Sequence, residues 1–94
     1  MSGLVLRLYI AGESSVSRRA QRNVAELRRR LRHDCAVETI DVMVRPELAE
    51  SAGILATPTL SYGPAPHTRR VVGDLSDTGR VIHFLGLEPK ETDE

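Results

Sequence analysis

Aromatic residues are nearly missing from this chain. They make up 3 % of 94 residues, with no tryptophan, two tyrosines and one phenylalanine. The core must therefore be built from Leu, Val, Ile and Ala, and a stacking platform for single-stranded nucleic acid is lacking. One cysteine excludes an intrachain disulfide and a zinc site made of several thiolates. No run reaches the roughly 18 consecutive apolar residues that a membrane-crossing helix needs. The opening MSGLVLRLYIAG has no basic leader, and Arg7 interrupts its apolar run. It is expected to be a first strand of a cytoplasmic protein with no membrane partner. Net charge is absent too, since 13 Lys and Arg balance 13 Asp and Glu. The charges are unevenly spread, with Arg18 to Arg32 basic and Glu88 to Glu94 mostly acidic. Such asymmetry can mark nucleic-acid binding. The overall neutrality, and cations placed where they suit a helix C-terminus, point instead to a solvated helix face, so no nucleic-acid partner is expected.

What is present alternates between strand and helix signals. Leu4 to Ile10 reads as a buried strand ending at Ala11-Gly12. Ser14, Ser15 and Ser17 offer caps for a helix whose apolar stripe is Val16, Ala20, Val24, Leu27 and Leu31. Val37 to Met43 reads as a second strand. Pro46 opens a short helix that Gly53 closes. Thr57 to Tyr62 and Thr68 to Val72 form a hairpin around Gly63 to Pro66. Ser76, with Asp77 behind it, caps a last helix over residues 76–86, and Gly86 and Pro89 stop it. The expectation is one domain over residues 1–94, with a disordered tail from about residue 88. The order βαβαββα implies an α/β fold, a four-stranded mixed sheet with helices on both faces.

That order is similar to the thioredoxin-like arrangement, in which Thr57-Pro58-Thr59-Leu60 resembles the strand led by a cis-proline, here Pro58. Redox members carry Cys-x-x-Cys at the start of the first helix, where the helix dipole lowers a thiol's pKa. This chain has Ser14-Ser15-Val16-Ser17 there. Its only thiol, Cys35, follows the opposite end of that helix, which disfavours a thiolate. His33, His67 and His83 lack metal-ligand spacing, so no metal is expected. Asp74, Ser76 and His83 could be written as a triad, but no nucleophile elbow precedes the serine. No phosphate loop or dinucleotide motif is present. The reading is a non-enzyme without cofactor. The alternatives are a single-thiol redox protein using Cys35 and an Arg-rich nucleic-acid binder.

Leu6-Arg7-Leu8-Tyr9-Ile10-Ala11-Gly12 resembles the opening of the KaiB family. Ser17-Arg18-Arg19-Ala20, Thr39-Ile40-Asp41-Val42, Pro46-Glu47-Leu48-Ala49, Ile54 to Leu60 and Arg69 to Ser76 follow in the family's order. The resemblance implies a circadian-clock component that binds the ring-shaped ATPase KaiC and helps recruit or displace other clock proteins. It also implies fold switching, with a tetrameric state whose second half is rearranged and whose last segment is a strand. Two segments depart from the pattern: Ser61 to Thr68, and the C-terminal stretch with Phe84, Gly86 and Pro89. Gly and Pro suit a helix stop better than a strand. The thioredoxin-like state, mainly monomeric, is therefore the expected resting form, and the partner is expected to be a KaiC-like ATPase. Carried over by motif position, the partner-binding candidates are Arg7, Arg19, Arg69, Arg70, Gly73 and Asp74. Arginine suits the role because its planar fork pairs bidentately with carboxylates. Arg69 and Arg70 are strand neighbours and should point to opposite faces.

Overall fold

Successive strand residues point to opposite faces, and in β1 (Leu4–Ile10) this sends Leu6, Leu8 and Ile10 one way and Arg7 and Tyr9 the other. Leu6, Leu8, Tyr9 and Ile10 are all buried, as a central strand requires. The computed structural model describes residues 4–64 and 66–90. Its order is β1, α1 (Ser15–Arg30), β2 (Cys35–Asp41), α2 (Pro46–Ala52), β3 (Thr59–Tyr62), β4 (Arg69–Val72) and α3 (Thr78–Leu85). The sheet runs β2-β1-β3-β4. β1 and β2 are parallel, from Leu4↔Cys35 to Ile10↔Asp41, and the other two pairings are antiparallel. The mixed sheet and the βαβαββα order are as expected.

α1 and α3 cover the Leu6–Leu8–Ile10 face. Ala20, Val24, Leu27, Val81, Ile82 and Leu85 join those strand residues, Leu60 and Leu75 in one core. Burying an aliphatic side chain of this kind contributes about 1.5–3 kcal/mol, so the core can stand without aromatics. α2 lies on the opposite face, where Leu48 and Ala52 share a cavity with Tyr9 and Ile40. It buries no residue completely.

One helix phase and several boundaries differ from the sequence reading, each of those described next for a local reason. Val16 is 56 % exposed and Ser17 is buried in its place. Ser14 is the N-cap, its side chain accepting from the Ser17 backbone N–H, and this phase aligns Ser17, Ala20, Val24 and Leu27 on one stripe. β2 starts at Cys35 and ends at Asp41 instead of running from Val37 to Met43. Asp41 Oδ1 accepts from the Gly12 and Met43 backbone N–H groups, both at 2.9 Å, and turns the chain there. β3 begins at Thr59, after Pro58, which has no N–H to give a ladder. The cap of α3 is Asp77, whose carboxylate accepts from the Arg80 N–H at 3.2 Å. Ser76 instead donates its N–H to Asp74 Oδ1 at 2.9 Å.

The segment from Glu88 to Lys90, expected to be disordered, is tied to the end of α1. The Arg32 N–H donates to the Glu88 carbonyl at 2.9 Å, the Lys90 N–H donates to the Arg30 carbonyl at 2.7 Å, and Leu31 bridges to Pro89. Residues 91–94 of the expected tail lie outside the described residues. α3 ends at Gly86 in the left-handed conformation, as the sequence suggested.

Candidate functional site

Where β1 enters α1, a redox protein of this fold would present its thiols. Here the Ser17 hydroxyl donates to the Ala11 carbonyl at 3.2 Å, and Ser14 Oγ accepts from the Ser17 N–H at 3.1 Å. Both hydroxyls are therefore spent on closing the helix start, and neither can take an electron pair. Cys35 lies at the other end of the molecule, buried opposite Leu4. Burial pushes its thiol pKa up, and the nearby Arg28 charge opposes this less strongly. A protonated, buried thiol is a poor nucleophile. Among the described residues no cluster of His, Cys, Asp and Glu could hold a metal ion.

The six residues carried over by motif fall into three places. Arg19, Gly73 and Asp74 meet in a cleft of about 330 Å³, together with Pro58, Asn23 and the exposed Val16. This cleft lies between the first turns of α1 and the link from β4 to α3. The Thr57–Pro58 peptide bond is cis, and the Pro58 carbonyl accepts from the Gly73 N–H at 2.9 Å. Gly73 has φ +95°, with nothing within 4 Å of where a Cβ would stand. Backbone conformation is thus what requires glycine there. Hydrogen bonds from Ser76 hold the Asp74 carboxyl below the usual carboxylate range, helped by the charge of Arg19. The cleft therefore presents a fixed anion beside a cation on an apolar floor.

Arg7 and Arg70 lie on the opposite face of the sheet, in one row with Glu38 and Ser61. Arg7 Nε donates to Glu38 Oε1 at 2.8 Å. Arg70 donates to the Ala52 and Gly53 carbonyls at the end of α2. Arg69 points to the other side, as alternation demands. Its guanidinium lies over the end of α3, where a Cβ on Gly86 would come within 3.0 Å of Arg69 Nη1. The adjacent arginines thus each sit at a helix C-terminus, a favourable place for a cation. Asn23 and Val16 were missed as cleft residues. Their signal was the phase of α1, which the cap at Ser14 sets.

A thioredoxin-like domain whose redox pair is replaced by a serine cap is the class that this fold and site define. Solved structures agree on the fold. The N-terminal domain of Synechococcus elongatus SasA superposes with a TM-score of 0.73 at 20 % identity, covering 92 % of this chain and 86 % of that one. Thioredoxin O2 from Arabidopsis thaliana does so with a TM-score of 0.68 at 17 % identity, covering 87 % and 74 %. The KaiB domain model matches residues 7–87. The circadian clock oscillator protein KaiB of Prochlorococcus marinus (strain MIT 9313) is 43 % identical over 91 residues, spanning 96 % of this chain and 76 % of that protein. The protein of the same name from Trichodesmium erythraeum (strain IMS101) is also 43 % identical over 91 residues, spanning 96 % and 88 %. The chain belongs to the KaiB family.

Proposed function

We infer that this chain is a non-catalytic, cytoplasmic regulator of the clock-oscillator type, working by docking onto a KaiC-type ATPase ring. The observation that carries the reading is the pairing of family membership over residues 7–87 with a helix start closed by Ser14 and Ser17. A scaffold of a redox fold without its redox groups has its surface left to work with. The docking surface is read at Arg19, Gly73 and Asp74. They share one cleft, and its rigid neighbours, Pro58 and the capped start of α1, hold the charges in fixed positions. Arg70 and Arg7 enter as outlying contacts because one flat partner surface cannot reach both faces of the sheet, and Arg69 because its guanidinium lies over the far end of α3. The resting form is a monomer in the thioredoxin-like state.

The test is direct. Purified chain is mixed with the KaiC-type ring of its own source, with ATP, and run on a sizing column. Co-elution with the ring supports the reading. Elution at the free position at concentrations of about 100 μM, where even a complex held by only about 5.5 kcal/mol would still partly form, counts against it.

A further inference from the structure

We propose that the end of the molecule opposite the docking cleft holds an anion site for a chain of phosphates. The cavity there has a volume of about 700 Å³, and Arg28, Arg29, Arg32, His33 and Lys90 stand around it with Asp34 as the acid. Three segments converge to make this wall. Arg28 and Arg29 come from the last turn of α1. Arg32 and His33 come from its link to β2. Lys90 arrives from the far end of the chain, placed by the Leu31–Pro89 bridge and by its own N–H on the Arg30 carbonyl.

The helix dipole alone accounts for cations in the last turn of α1. It does not account for His33 beyond the helix, nor for Lys90 brought in by backbone pairing. Nor are the guanidinium donors exhausted by their protein partners. Arg28 uses Nε on the Cys35 carbonyl, Arg29 uses one terminal nitrogen on Glu26, and Arg32 reaches Glu88 only at 3.5 Å. An arginine has five N–H donors, so each keeps several for a ligand. Planar forks flanking an ammonium group suit phosphate oxygens. The floor is apolar, formed by Leu4 and the half-exposed Val5 at the start of β1. A ligand of several linked phosphates, inorganic or attached to a base that rests on this floor, matches both features. The proposal is independent of ring docking.

The test uses the full chain labelled with ¹⁵N and titrated with inorganic tripolyphosphate at constant ionic strength. Saturable amide shifts are expected at residues 32–36 and at Leu4, Val5 and Lys90. The variant Arg32→Glu/Lys90→Glu should weaken binding about tenfold or more, as the loss of charge-assisted hydrogen bonds implies. Unchanged shifts of β3 and β4 would show that this variant is folded, and Lys90→Ala replaces it otherwise, with a weakening of about fivefold. The variant Arg18→Glu/Arg22→Glu, on the first half of α1 and outside the lining of the cavity, should bind like the parent. Adenosine triphosphate should displace tripolyphosphate from the same amides. Shifts spread equally over Arg18 and Arg22, equal weakening by both double variants, or no saturation would overturn the site in favour of diffuse screening.

Discussion

Replacing Gly73 and Gly79 by alanine, one at a time, should move stability in opposite directions. Gly73 has φ +95° and an empty space where the Cβ would go, so the cost of alanine is backbone strain without a clash. A left-handed backbone costs an L-residue about 1–2 kcal/mol. Gly79 has no such φ and sits inside α3, where its Cβ would meet Asp77 Oδ1 at an ordinary 3.9 Å. Alanine there restricts the unfolded chain and suits the helix, a gain of about 0.5–1 kcal/mol. Each kcal/mol shifts Tm by about 4–8 °C in a domain of this size. Thermal and urea unfolding of both variants, followed by far-ultraviolet circular dichroism, would read the difference. A Gly73→Ala protein as stable as the parent, or a Gly79→Ala protein less stable, would refute this account of the β4–α3 link. Gly73→Ala should also weaken ring docking, because the strain falls in the cleft with Arg19 and Asp74.

Three further outcomes are expected. Asp74 has its folded pKa lowered by Ser76 and then Arg19; its stabilising contribution is present above the ordinary aspartate range and is lost as pH falls through the depressed value. Asp74→Asn should therefore flatten the acid side of the stability–pH curve, and an unchanged slope would remove the Ser76 hydrogen bonds from the account. Cys35, with its raised pKa and burial, should react with iodoacetamide at pH 7.5 at least about tenfold more slowly in the native protein than in urea; equal rates would contradict its placement, and insulin reduction abolished by Cys35→Ser would contradict the non-redox reading. Arg70→Ala should cost about 1 kcal/mol or less of global stability, since its bonds are exposed, while loosening α2 so that amide exchange rises from Glu47 to Gly53. Uniform exchange changes across the sheet would refute this local role.

Much of the fold is legible in the sequence because each element carries its own punctuation. Ser14 and Gly12 mark the entry to α1, Pro46 and Gly53 bracket α2, and Gly86 ends α3. The errors are of phase and register. A helix stripe can be drawn through Val16 or Ser17 from spacing alone, and only the cap settles which one is buried. The start of β2 depends on pairing with Leu4, a partner 31 positions earlier, and no local signal reports it. Asp77 and Ser76 are both good caps by type, and Asp74 decides between them by taking the Ser76 N–H. The site was half legible. Motif order supplied Arg19, Gly73 and Asp74, and the chain brings them together. It also supplied Arg69 and Arg70, whose separate placement at the ends of α3 and α2 follows from strand alternation. The basic cavity at the other end was hidden, since it needs Lys90 beside Arg32, and the tail was expected to be free.

Docking through the Arg19–Asp74 cleft, and not chemistry, is the proposed action of the chain. Biolayer interferometry on an immobilised KaiC-type ring with ATP would test it most directly, comparing the parent chain with Arg19→Glu. Both proteins should keep the same unfolding midpoint, because an exposed substitution usually changes stability by within about 0.5 kcal/mol. The account predicts that the parent binds and that Arg19→Glu loses at least about tenfold in affinity, as like-charge juxtaposition at an interface costs several kcal/mol. Equal affinity of the two, or no binding by the parent, would contradict it.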